Sequence, residues 1–129
     1  MTALLRQRRY WFAALLFWIV VLCTLSSLHG NSAQLPPVDH IDKVLHFGYF
    51  LGGGFFFAGW RHLRNDQRPG WKSLMIPAVI TMALIGALDE WHQTFTPGRS
   101  GADIGDWIAD IAGGTIGAAL FKMLHLKWR

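Results

Sequence analysis

Four apolar runs divide the chain, each long enough for a helix, and none shows the period-two alternation of a half-buried strand. The first, Tyr10 to Leu28, reads YWFAALLFWIVVLCTLSSL and carries no charged residue. At about 1.5 Å per residue it reaches about 28 Å, close to the roughly 30 Å hydrocarbon core of a bilayer. The RQRR ahead of it also fits the start of a cleaved signal peptide. The run is longer than a signal core, however, and the following NSA is a poor cleavage site, so a retained span is expected. The second run is Val44 to Trp60, the third Ser73 to Leu88 and the fourth Ile104 to Leu126. Pro77 stands near the start of the third, where a first-turn proline removes little hydrogen bonding. HGNSAQLPPVDHID and RHLRNDQRPGWK, the first two connections, have the Pro, Gly and polar composition of loops. The pattern predicts an all-α polytopic membrane bundle of four transmembrane helices in a single domain, residues 1–129, with residues 1–9 as a cytoplasmic N-terminal segment.

Charge placement orients that bundle. If four helices alternate, Arg6, Arg8, Arg9, Arg61, Arg64, Arg68, Lys72, Lys122, Lys127 and Arg129 share one side, and only Lys43 and Arg99 fall on the other. Basic residues gather on the cytoplasmic side, so both termini are expected inside the cell (plasma or inner) membrane. The acids run the opposite way: Asp39, Asp42, Asp89, Glu90, Asp103, Asp106 and Asp110 lie outside and Asp66 inside. Tyr10, Trp11, Trp60, Trp71 and Trp128 fit an inner aromatic belt, with Trp91 and Trp107 on the outer one.

Composition agrees. The chain is 52% hydrophobic and only 16% charged, with a mean hydropathy of +0.27, whereas soluble domains carry about 25% charge. Its net charge of +4 does not form one basic stripe, so no nucleic-acid partner is expected. The single cysteine, Cys23, excludes an internal disulfide and reads as a small buried hydrophobe.

Helices in lipid need small residues for close contact. Ala109, Gly113 and Gly117 offer such a seam on the fourth helix. Gly48 and Gly52 offer one on the second, widened by Gly53 and Gly54. These seams serve helix contacts within one chain or between chains, and so could support oligomers as well as the fold.

The third connection and its flanks, DEWHQTFTPGRSGADIGDWIAD at 89–110, break the apolar pattern. Asp42 and His46 lie one turn apart on the second helix, with Tyr49 three residues further on. The third helix ends in Asp89, Glu90 and Gln93, of which Asp89 and Gln93 share a face while Glu90 points elsewhere. Pro97-Gly98 makes a turn, Arg99 follows, and Asp103 fits the N-cap of the fourth helix. Asp106 and Asp110 then lie one and two turns in, Asp110 about 10 Å from the helix start. Charges at that depth cost several kcal/mol unless paired or wet. They are therefore expected to line a polar pocket, enclosed by helices two to four and open to the outside, with Arg99, Lys43 and His46 as partners. His92 beside Trp91 reads as interfacial surface.

DKVLHFGYF at 42–50, DEWHQTFTPGR at 89–99 and D-x-x-D-x-x-x-D ahead of Gly-Gly-x-x-Gly at 103–117 together resemble the VanZ-like family of small membrane proteins. The resemblance is strongest over 42–117. It marks Asp42, Lys43, His46, Tyr49, Asp89, Glu90, Gln93, Phe95, Pro97, Gly98, Arg99 and Asp106. It implies a helical membrane architecture and, through the founding member, an association with resistance to the glycopeptide antibiotic teicoplanin.

Two functions fit these residues. One is recognition, in an accessory role, of a cell-envelope precursor or glycopeptide-like ligand, Arg99 and Lys43 gripping an amide- or phosphate-bearing group by charge-assisted hydrogen bonds. The other is a membrane-embedded enzyme acting on a lipid headgroup through acid/base or metal chemistry. No catalytic residue or metal ligand set is assigned. The oxygen-rich set suits Mg²⁺, Mn²⁺ or Ca²⁺ better than zinc. A small transporter is a weaker fit, because no charge continues into the inner half of the core. Membrane lipids are the remaining expected partners.

Overall fold

A computed structural model describes residues 7–28, 41–63 and 69–127, with the side chains of 126 and 127 excepted. The loop expected at 29–40 and residues 64–68 lie outside the described residues, as do Asp39, Asp66, Arg64, Arg68 and both chain ends. Four antiparallel helices make up what is described: α1 (Arg8–Ser27), α2 (Ile41–His62), α3 (Trp71–Gln93) and α4 (Ile104–Lys127). Each lies within a few residues of the boundaries the apolar runs predict. At one end Arg8 stacks on the Trp60 ring, 5.0 Å from its centroid, and Lys122 reaches the Pro69 carbonyl. At the other end Ser26 meets His92, and α2 meets the start of α4 through Lys43 and Asp106.

Among the described residues, three helices are long and apolar enough to cross a membrane: α1, α3 and Ile104–His125 of α4. The second helix is long enough at 22 residues but less apolar than its companions. Five glycines, His46, Tyr49 and Trp60 dilute it. The dilution follows from position, since α2 is sandwiched between α1 and α4 and exposes less of itself to lipid. The outward faces of the other helices are studded with exposed Phe17, Val20, Ile80, Leu84, Leu88 and Ile108, side chains that suit acyl chains better than water. The chain is a membrane protein.

Glycine contacts shape the interior. A side-chain carbon added at Gly113 would strike the Phe47 carbonyl, at Gly117 the Leu51 carbonyl, and at Gly54 the backbone of Gly114. Within the chain, then, α4 lies against α2 backbone to backbone. Gly53 and Gly59 instead make notches that seat the indoles of Trp18 and Trp11 from α1, and Trp18 donates to the Tyr49 carbonyl at 2.9 Å. The buried stripe of α1, Trp11, Leu15, Trp18, Leu22 and Ser26, is the face that enters these notches. Gly48 and Gly52, expected on a seam, face open space instead. They lie on the side of α2 turned away from both Trp18 and α4.

Two local expectations change. Cys23 is exposed on α1, because the buried stripe passes through Leu22 and Ser26. Pro77 sits deeper than the first turn, since α3 begins at Trp71. A proline there leaves the carbonyl four residues back without its helical donor. That carbonyl belongs to Ser73, and Arg61 Nε donates to it at 3.1 Å. The lost backbone bond is replaced by a side chain from the preceding helix.

Candidate functional site

The connection from α3 to α4 folds back on the helix it leaves. Gly98 (φ 77°) and Gly101 (φ 33°) take left-handed turns, and so does Ala102 (φ 59°), at a cost of order 1–3 kcal/mol for a residue with a side chain. The strained turn aims two successive N–H groups at one residue. Ala102 N donates to the Glu90 carbonyl at 3.3 Å, and Asp103 N donates to Glu90 Oε2 at 2.8 Å. Asp103 then caps α4, its Oδ1 accepting from Gly105 N at 2.6 Å and Asp106 N at 3.3 Å. The expected cap is formed, and it fixes the register in which Asp106 and Asp110 face α2.

Lys43 stands between α2 and α4 and is 30% exposed. Its Nζ lies 3.0 Å from Asp106 Oδ1, 3.1 Å from Asp103 Oδ2 and 3.3 Å from Asp42 Oδ2. The Lys43 ammonium and the Gly105 N–H hold the Asp103 carboxyl below the ordinary carboxylate range. One turn deeper, His46 Nδ1 and Asp110 Oδ1 are 2.9 Å apart, with Asp110 wholly buried. The partner of His46 is thus Asp110 and not Asp42, which turns outward to Lys43. Gly86 makes this possible. A side chain there would come within 2.8 Å of Asp110 Oδ2, so α3 leaves the room that the Asp110 carboxylate occupies. No sequence reading marked Gly86, although it shares a stripe with Asp89 and Gln93 at helical spacing.

Asp89, Glu90 and Gln93 are all buried at the end of α3. Glu90 does diverge from Asp89 and Gln93, but its direction is inward, toward α2 and α4. Its Oε1 is 3.9 Å from His46 Nδ1, and Asp106 Oδ2 is 3.8 Å from His46 Nε2. Gln93 Nε2 donates to Asp89 Oδ2 at 2.8 Å, while Arg99 donates to Gln93 Oε1 through Nη2 at 2.8 Å and Nε at 3.2 Å. Arg99 therefore reaches Asp89 through an amide, and among the described residues no carboxylate pairs with it directly. Tyr49 stacks on Trp18 at the edge of the group. His92 is exposed, as expected, but also ties α3 to α1 through Ser26 Oγ at 3.2 Å.

The result is a continuous polar wedge, from exposed Asp42 down to buried Asp110. Six carboxylates face Lys43, His46 and, through Gln93, Arg99. Among the described residues, two carboxylate oxygens, Glu90 Oε1 and Asp110 Oδ2, are buried without a hydrogen-bond donor. Among them, too, two groups could hold a cation: Asp42, Asp103 and Asp106, and, deeper, His46, Asp89 and Glu90. In each, one ligand atom per residue lies within 4.8 Å of the others. The VanZ/LLP1 family model matches residues 3–125 of the chain. No curated protein and no solved structure gives a match.

Proposed function

Because this chain belongs to the VanZ/LLP1 family of membrane proteins, we propose that the polar wedge is an outward-facing recognition site for a peptide-bearing cell-envelope precursor or a glycopeptide-like ligand. All four helices span the inner membrane in this reading, with both termini cytoplasmic. The end carrying Arg8, Arg61, Lys72 and Lys122 faces the cytoplasm and the end carrying the wedge faces out.

The division of charge within the wedge supports this reading. Lys43 is engaged by three carboxylates and has little left for a phosphate. Arg99 lies half-buried at the rim, and among the described residues it has no carboxylate of its own. A ligand suited to both would offer amine or amide N–H groups to the acids at the mouth, Asp42 and Asp103, and a carboxylate to Arg99. Peptides carry both, and a bidentate guanidinium–carboxylate contact is strong and directional. Phosphate recognition by Lys43 is correspondingly disfavoured.

A membrane enzyme is the second reading. It draws on the 2.9 Å contact between His46 and Asp110, the arrangement in which a carboxylate orients an imidazole for proton transfer.

The test is binding of a fluorescent glycopeptide and of a lipid-linked peptide precursor to the full chain in nanodiscs, with native mass spectrometry of the detergent-purified protein for co-purifying ligand. Saturable binding weakened by Arg99→Ala, with the ligand recovered intact, is the expected result. Ligand recovered cleaved would favour the enzyme. No saturable binding of either probe would remove the recognition reading.

A further inference from the structure

We propose that His46, Asp89 and Glu90 hold a divalent metal ion at the inner end of the wedge, of the Mn²⁺ or Mg²⁺ class. The proposal rests on the recognition reading only in taking the wedge as reachable from water.

The two carboxylate groups differ in one respect. Asp42, Asp103 and Asp106 already surround a cation, the Lys43 ammonium, with all three contacts at 3.3 Å or less. Around His46, Asp89 and Glu90 the described residues place no ammonium or guanidinium, because Arg99 stops at Gln93. Glu90 is 4% exposed, and its Oε1 points toward His46 with no donor. A buried carboxylate oxygen left in that state is destabilising, and a bound cation relieves it.

The remaining contacts resemble a metal site's supporting shell. The contact of His46 Nδ1 with Asp110 sets the ring orientation, Glu90 Oε1 stands 3.9 Å from that nitrogen, and Asp106 Oδ2 stands 3.8 Å from Nε2 as a further oxygen. Asp89 is steadied by Gln93, and Glu90 Oε2 by the Asp103 N–H. One ring nitrogen with two or three carboxylate oxygens suits Mn²⁺ or Mg²⁺. At metal–ligand distances of about 2.1 Å, ligand atoms on opposite sides of an ion are about 4.2 Å apart. The group already lies within 4.8 Å, so side-chain shifts of tenths of an ångström would close it.

The experiment uses the full chain in nanodiscs, stripped with chelator and titrated with Mn²⁺, read by electron paramagnetic resonance. Expected are one saturable Mn²⁺ per chain and a nitrogen hyperfine coupling from the His46 imidazole. Glu90→Gln removes the site, and Asp110→Asn weakens it by about 10–100-fold. Asp103→Asn, in the group that Lys43 fills, leaves it intact. In chelator, Glu90→Gln melts no lower than wild type, since the amide keeps the bond from Asp103 N, so loss of binding is not loss of fold. Mn²⁺ that binds Glu90→Gln as it binds wild type, that shows no imidazole coupling, or that does not saturate would overturn the proposal. Glycopeptide binding that persists in chelator without any Mn²⁺ site would sink the metal and leave the recognition reading standing. A Mn²⁺ site in a protein that binds neither organic probe would do the reverse.

Discussion

Alanine at Gly48 and alanine at Gly117 are the same chemical change in two helices of one bundle, and they should move stability in opposite directions. At Gly48 nothing among the described residues lies within 4 Å of the added carbon. Only the backbone term operates, and replacing a mid-helix glycine stabilises by roughly 0.5–1 kcal/mol. At Gly117 the same gain is available, but the new carbon is driven into the Leu51 carbonyl and lies 2.9 Å from Phe55 N. Both obstacles are backbone, so no rotamer change relieves them and α2 and α4 must part. Overpacking of this kind costs about 1–3 kcal/mol, and a backbone obstacle belongs at the upper end. The net expectation is a loss of about 2 kcal/mol at Gly117, some 3 kcal/mol from the Gly48 variant.

The assay is reversible unfolding in mixed micelles by titration with a denaturing detergent, followed by tryptophan fluorescence. Trp18 and Trp11, seated in the notches of α2, report the loss of packing directly. The Gly117 variant should also lose Mn²⁺ affinity, because Leu51 and Gly117 lie on the seam that holds His46 against Asp110. Equal shifts for the two variants, or a stabilised Gly117→Ala, would refute the backbone-to-backbone account of the α2–α4 contact.

Lys43→Met should destabilise by about 2 kcal/mol, less than the 3–5 of a fully buried pair because Lys43 is 30% exposed, and adding Asp106→Asn should recover part of the loss in the same unfolding assay. The Asp103 carboxyl is held below its unfolded value, so its contribution is complete above about pH 4 and is lost as pH falls through the depressed folded value. The melting difference between wild type and Asp103→Asn should therefore stay constant from about pH 7 to 5 and shrink below about pH 4. A single reporter cysteine at Ser100, in a Cys23→Ala background, should react with a membrane-impermeant maleimide from outside intact spheroplasts. Reaction only after lysis would invert the proposed orientation.

Much of this architecture could be read from the sequence because lipid leaves helices few choices. Runs without charge had to be helices, and their ends were marked where polar residues resumed, so the boundaries agree within a few residues. The wedge was legible for a related reason. Asp106 and Asp110 could enter an apolar run only by facing other helices, and Arg99, Lys43 and His46 were the groups expected to receive them; Lys43 and His46 do, while Arg99 stops at Gln93. What could not be read was pairing across helices. One-turn spacing put Asp42 and His46 on one face without saying which acid each base meets; that follows rotation about the helix axes, and the rotation is set by Gly113 and Gly117 against the backbone of α2. The same rotation turns Gly48 and Gly52 outward, though their spacing matches the seam on α4 that does make contact. Gly86 shows the deeper difficulty. Its importance lies in the missing side chain that would otherwise occupy the place of the Asp110 carboxylate, and such an absence acquires meaning only once the facing helix is in position. Gly86 thus gives the Asp110 carboxylate its place, while His46 and Lys43 supply the partners that Asp110 and Asp106 need. Stability and site geometry should accordingly respond together when the seam is altered, and separately when Arg99 is.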